Sequence, residues 1–280
     1  MNPIPTTFIK PLVKNKEKVS RPNKVKAPEH LNKLQIKKIF KVSDNQDEDP
    51  QYDSDEDKEK TLDFDKEVQN IKNLQGLDLV FCIDTTGSMM PFIKSIKELM
   101  RKIIRDAENF VKQYEKSKSI FKIAIVAYRD HEDEKEKDSY LTKTLDFTDG
   151  KSARKFLSSM IAKGGFDKSE AVLDGLNEVV NLKWREDSYK FLIHFLDGPP
   201  HGLEYVYNKS DTKYEDGCPC KIAEEDIFYP MRDLNLKYSI IKLNDDIDIM
   251  IKKFSEYFEI EVVKLDIKYD VNEKELQFYK

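Results

Sequence analysis

Hydrophobic residues in this chain arrive as short dense runs separated by longer stretches in which they recur every three or four positions. Residues 77–83 are apolar everywhere except Asp78, the pattern of a strand buried on both faces in the middle of a parallel sheet. Beyond it, Phe92, Ile93, Ile96, Leu99, Met100, Ile103, Ile104, Ala107, Phe110 and Val111 fall at helical spacing on one stripe. Pro91 fits the first turn of that helix, where its missing N–H is harmless. Residues 120–128 read as a second strand, and 141–147 alternate like a short edge strand. Helices are predicted over 151–163, 169–184, 221–236 and 245–258, and strands over 189–196, 237–243 and 260–266. Strands alternating with helices predict an α/β fold, doubly wound, with a mostly parallel central sheet flanked by helices. No internal repeat is present.

Composition changes the picture at the front of the chain. The hydrophobic share of the 280 residues is 39%, low for a chain that is globular throughout. Lys and Arg dominate residues 1–42 against only Glu17 and Glu29, whereas Asp and Glu dominate 43–65. The formal net charge of -5 therefore hides two opposed blocks. Neither block carries enough apolar surface to offset its ordering entropy, so a disordered or extended N-terminal tail is expected. The expected organisation is a basic extended tail at 1–43, an acidic linker and tether at 44–76, the folded domain at 77–270, and a C-terminal tail at 271–280. Leu31, Leu34, Ile36, Ile39 and Phe40 lie among lysines and fit either a short amphipathic helix on a partner or a disordered basic tail. Leu62, Phe64, Val68, Ile71 and Leu74 are read as the tether to the domain.

Residues 1–13 lack the apolar core of a secretory leader, and no run approaches a membrane span. Three cysteines do not make a disulfide framework. A cytoplasmic location is expected, with cytoskeletal association as a further option.

The first strand runs directly into Asp84-Thr85-Thr86-Gly87-Ser88 and then the long helix. The bare Asp-x-Thr-x-Ser pattern should follow roughly one Asp in a hundred by chance, so its place between a buried strand and an amphipathic helix is what makes it specific. That junction lies at the carboxyl end of the sheet, where open α/β folds bind ligands. An Asp ending an apolar strand needs a compensating charge or donors.

This stretch resembles the metal-ion-dependent adhesion site of von Willebrand factor A (VWA) domains, whose pattern is Asp-x-Ser/Thr-x-Ser after the first strand. The resemblance extends to two later loops, Gly164-Gly165-Phe166-Asp167-Lys168-Ser169-Glu170 and Leu196-Asp197-Gly198-Pro199-Pro200-His201-Gly202, and to Ala127-Tyr128-Arg129-Asp130-His131 and Cys218-Pro219-Cys220. It covers residues 77–266 and is most like the cytosolic domains that accompany atypical α-kinases. It implies a divalent-cation site with Asp84, Thr86, Ser88, Asp167 and Asp197 as metal residues. Mg²⁺ suits such hard oxygen donors, with Ca²⁺ or Mn²⁺ as alternatives.

Asp167 stands where adhesive members carry a Thr. A third carboxylate leaves the site formally negative, so it should hold metal more tightly and attract a partner's carboxylate less. Each residue also has a purely structural reading. Asp167 with Glu170 could form a capping box for a helix beginning at Lys168, Ser88 could cap a helix, and Asp197 could start a turn.

A second candidate site, for Zn²⁺, comprises His201, Cys218 and Cys220, with His131 or Asp216 to complete it; the alternative is a loop of reduced cysteines. Asp130 is read as a turn carboxylate or a group behind the metal ligands. His194 is expected to be a packed core residue and Cys82 an inert buried thiol.

Together these readings predict a non-enzymatic intracellular protein-binding or scaffolding module. The N-terminal tail would supply a second contact, to an acidic or filamentous protein. The alternatives are a structural component with a vacant metal site and a regulatory partner of an α-kinase. Little sequence follows residue 266 and no phosphate-binding glycine loop is present, so kinase activity is not expected. A membrane partner is not expected, and Lys-rich tails bind polyanions too generally to favour nucleic acid.

Overall fold

A computed structural model describes residues 76–113, 120–131 and 139–265. The expected basic tail, the acidic linker up to residue 75 and the C-terminal tail lie outside the described residues. In chain order the elements are β1 (Gly76–Asp84), α1 (Met90–Gln113), β2 (Ile120–Tyr128), β3 (Thr142–Thr148), α2 (Gly150–Ser159), α3 (Val172–Val180), β4 (Ser188–Leu196), α4 (Glu224–Asp233), β5 (Lys237–Lys242), α5 (Asp248–Tyr257) and β6 (Ile260–Lys264). Short 3₁₀ turns occupy Gly87–Met89, Leu203–Tyr205 and Lys209–Asp211.

The strands form one sheet in the order β3-β2-β1-β4-β5-β6. All neighbouring pairs are parallel except β2 with β3, so the alternating segment is the antiparallel edge its pattern predicts. β1 is buried at every position because β2 and β4 flank it and helices cover both faces. Its odd positions Leu79, Phe81 and Ile83 pack with Ile96, Met100 and Ile103 of α1. Its even positions Val80 and Cys82 pack with Leu176 and Val179 of α3, Phe228 of α4 and Phe254 of α5. Each such side chain, fully withdrawn from water, contributes about 1.5–3 kcal/mol. Among the described residues no helix is long and apolar enough to cross a membrane.

All four helices after α1 are shorter than their periodicity suggests, and for α2 and α3 the bonds that cut them short are plain. The helix expected over 151–163 ends at Ser159, because Met160 turns extended and returns its N–H to the Leu157 carbonyl. The helix expected over 169–184 begins only at Val172, since Glu170 is drawn into a bridge with Pro200 and gives its N–H to the Pro199 carbonyl. That bridge leaves no capping box on Asp167, because the N–H such a box would satisfy is already used.

Parallel pairing brings the ends of β1, β2 and β4 to one rim. Asp84 lies beside Tyr128, and Ile83 beside Phe195. The loops leaving these strands build the candidate site.

Candidate metal centre

The first loop is folded by its own hydroxyls. Thr85 donates both its N–H and its Oγ1 to the Tyr128 carbonyl, at 2.9 and 2.8 Å, which ties the end of β1 to the end of β2. Thr86 donates its N–H (2.8 Å) and its Oγ1 (2.7 Å) to Asp84 Oδ1. Ser88 Oγ lies 3.1 Å from Thr86 Oγ1 and donates to Asp197 Oδ1 at 2.9 Å. Asp84, Thr86, Ser88 and Asp197 thus form one connected chain of oxygens, although Asp197 stands 113 positions after Asp84 in the sequence.

The second loop is stitched to the first by backbone bonds. Gly87 N–H reaches the Gly164 carbonyl at 2.7 Å, and Lys163 N–H reaches the Thr85 carbonyl at 2.9 Å. Gly164 and Gly165 both hold left-handed φ, 84° and 77°, a conformation that favours glycine. A Cβ on Gly165 would also lie 2.9 Å from Glu170 Oε1 and 3.0 Å from the Thr86 Cβ. The loop is therefore shaped to lay Glu170 against Thr86. Asp167 is engaged elsewhere: its Oδ1 accepts Ser169 N–H at 2.8 Å and its Oδ2 accepts Lys213 N–H at 2.5 Å. The carboxylate of the second loop that the Asp84 charge acts on is that of Glu170. Sequence reading took Glu170 for a helix cap; its place after a double-glycine turn was the available signal.

Two oxygens in this cluster are buried with no hydrogen-bond partner, Asp84 Oδ2 and Glu170 Oε2. Burial and the neighbouring Asp197 charge push the Asp84 carboxyl well above the ordinary carboxylate range, against the pull of the Thr86 bonds. Glu170 is raised by burial and by Asp84 and Asp130. Asp197 is pushed up to about 6, mainly by burial. Hard anionic oxygens withdrawn from water and repelling one another, with two lone-pair directions unused, are the donor set a small divalent cation satisfies. The residues present fit such an ion: Asp84, Glu170 and Asp197 supply carboxylates, and Thr86 and Ser88 supply hydroxyls.

The soft-ligand residues are also brought together, in a different combination. Cys218 and Cys220 converge on His131 and Asp174, with the four ligand atoms within 4.8 Å of one another. His201 is not among them. Its Nε2 lies 2.8 Å from Asp130 Oδ1 and its Nδ1 lies 3.3 Å from Thr212 Oγ1, so both ring nitrogens of this buried side chain are occupied. Asp216 is exposed on the loop and lies outside the group. His194 is a core residue, bridging Tyr128 Oη at 2.8 Å and Tyr238 Oη at 2.9 Å, with burial driving its pKa down to about 3. Cys82 is fully buried, and burial holds its thiol protonated.

Residues 78–194, which hold most of this sheet and its first two loops, match the family model of the von Willebrand factor A domain. That segment is thus similar to a class of generally non-catalytic protein-interaction modules. The matched segment contains Asp84, Thr86, Ser88, Asp167 and Glu170, while Asp197 lies three residues past its end. Among characterised proteins the chain is similar to the alpha-protein kinase vwkA of Dictyostelium discoideum, at 29% identity over 180 residues. That match covers 62% of this chain and 26% of the kinase, so the likeness spans about a quarter of the relative. Two crystal structures of the pilus adhesin SpaC from Lactobacillus rhamnosus GG are also similar, at 12% and 11% identity with TM-scores of 0.45 and 0.47. They cover 68% and 69% of this chain, and the matches take in 28% and 29% of the adhesin.

Proposed function

We propose that this chain is a non-enzymatic, cytoplasmic protein-binding module whose partner contact depends on a divalent cation, Mg²⁺ in the first instance, held by Asp84, Thr86, Ser88, Glu170 and Asp197. Asp167 then acts behind the site, fixing the loop through Ser169 and Lys213. The observation that carries the reading is the pair of buried, partnerless oxygens on Asp84 and Glu170. The exposed Ser88 and the 59% exposed Phe166 offer a partner surface beside them. An excess of carboxylates over one divalent charge favours a partner that brings neutral or basic groups to the ion. The basic tail at 1–43 provides a second contact segment to this domain of residues 77–270.

The test is calorimetric titration of Mg²⁺ into the chain and its Asp84→Ala variant, followed by affinity capture from cell extract with cation and with chelator. Metal binding by the wild type alone, with capture lost in chelator, supports the reading; capture unchanged by chelator overturns it. The likeness to vwkA favours a second reading, in which the chain regulates an α-kinase as its partner. Addition of the pure chain to such a kinase, with phosphate transfer as readout, separates the two.

A further inference from the structure

The oxygen-rich site leaves unused a second cluster, that of His131, Asp174, Cys218 and Cys220. His131 follows the end of β2, Asp174 sits in the first turn of α3, and Cys218 and Cys220 come from the loop before α4. His131 Nε2 lies 3.1 Å from Cys218 Sγ and 3.1 Å from Asp174 Oδ2, and Cys218 Sγ lies 3.0 Å from the same Asp174 oxygen. Cys220 Sγ stands 3.9 Å from His131 Nδ1. His131 and Asp174 are buried, Cys218 is half-buried and Cys220 is exposed.

The backbone of the loop is shaped around this convergence. Gly217 and Lys221 bracket the Cys-Pro-Cys segment with left-handed φ of 100° and 55°, and Lys221 N–H closes the turn on the Cys218 carbonyl at 2.9 Å. A lysine in that conformation is strained unless something fixes it. Zn–N bonds of about 2.0 Å and Zn–S bonds of about 2.3 Å place tetrahedral ligand atoms about 3.3–3.8 Å apart; His131 Nε2, Cys218 Sγ and Asp174 Oδ2 stand slightly closer, at 3.0–3.1 Å, and all four ligand atoms lie within 4.8 Å of one another, so small side-chain shifts reach that geometry. Two sulfurs with one imidazole and one carboxylate select a borderline-soft ion over the hard cations suited to the Asp84 site. Four protein ligands leave no open position, which makes the site structural. Exposed Cys220 gives the ion its way in.

We propose that His131, Asp174, Cys218 and Cys220 form a tetrahedral Zn²⁺ site that pins the 217–221 loop to the start of α3 and the end of β2. The site is independent of the cation-dependent contact proposed above, since it shares no ligand with it.

The full chain is prepared in zinc-containing medium, purified without chelator and assayed for bound metal by mass spectrometry. One zinc per chain is expected, falling to background in the Cys218→Ser/Cys220→Ser double variant and unchanged in Asp84→Asn and in His201→Gln. Replacement by Co²⁺ should give the thiolate-to-metal charge-transfer band and tetrahedral ligand-field bands. Should the double variant not fold, alkylation of the wild type decides: bound zinc should slow modification of Cys220 by about tenfold, and a strong chelator should abolish that protection. Zinc at background in the wild type, zinc retained by a folded double variant, alkylation indifferent to chelator, or a Cys218–Cys220 disulfide in the purified chain would each overturn the proposal.

Discussion

The two ends of β1 each bury an aspartate completely, and they treat it in opposite ways. At the start of the strand Asp78 is saturated: Arg185 donates its Nε at 2.9 Å and its backbone N–H at 3.1 Å, and Ser188 Oγ adds a bond at 2.6 Å. At the other end Asp84 has hydrogen bonds on one oxygen, none on the second, and two further acids around it. The strand is equally apolar between them, so the difference lies in the loops. The protein supplies its own guanidinium where the carboxylate serves the fold, and withholds one where an external ion can serve.

Breaking the satisfied end should have the largest effect. Arg185→Ala leaves Asp78 charged and buried, and should destabilise the chain by about 3 kcal/mol, the low end for a buried pair because the guanidinium is itself 32% exposed. Urea unfolding should give the same loss with and without Mg²⁺. A cation-dependent loss would mean that the two ends are not independent.

The open end should respond with the opposite sign. Asp84→Asn removes one of three mutually repelling carboxylates, so in chelator it should unfold at equal or higher denaturant than the wild type. Mg²⁺ at 100 times its dissociation constant should then stabilise the wild type by about 2.7 kcal/mol and the variant not at all. A wild type that gains nothing from any divalent cation removes the contrast.

A third buried group sharpens the comparison, because it is neutral and needs no counter-charge. His194 has a folded pKa of about 3 against an ordinary value of 6.5. The folded state therefore binds fewer protons than the unfolded state between those values, and stability is lost as the pH falls through that window. From pH 6.5 to 4.5 the loss through this residue should be about 2 kcal/mol, absent in His194→Gln. Equal pH slopes for the two proteins would show that His194 is not buried neutral.

The smallest expected effect separates the acids of the second loop. Glu170→Gln should weaken Mg²⁺ by about tenfold, whereas Asp167→Asn, which keeps one of the two acceptor oxygens used by Ser169 and Lys213, should change affinity by no more than about threefold. The reverse order would return Asp167 to the ion.

Much of this was legible in the chain. The buried run 77–83, the helix after Pro91 and the alternation of 141–147 marked the middle of the sheet, its first helix and its antiparallel edge, because continuous and alternating burial leave different imprints. Asp84, Thr86 and Ser88 were visible as a local motif, and Asp197 stands in contact with them as its loop suggested. What stayed hidden depended on distant backbone. Glu170 and Asp167 are three residues apart on one loop, and only the bridge to Pro200 and the claim of Lys213 N–H on Asp167 decide which faces Asp84. Asp174 likewise looks like an ordinary first-turn acid until the 217–221 loop arrives beside it.

The central place of β1 has a kinetic consequence. Gly76 must find both Ile120 and Ser188 before the strand is enclosed, so the rim that gathers the oxygens is completed only after long loops have closed. Parallel pairing of this kind is slow to form. A partly folded chain therefore offers the ion only the local Asp84-Thr86-Ser88 fragment. Cation binding should act as a latch applied after folding: it slows unfolding and leaves the folding rate nearly untouched.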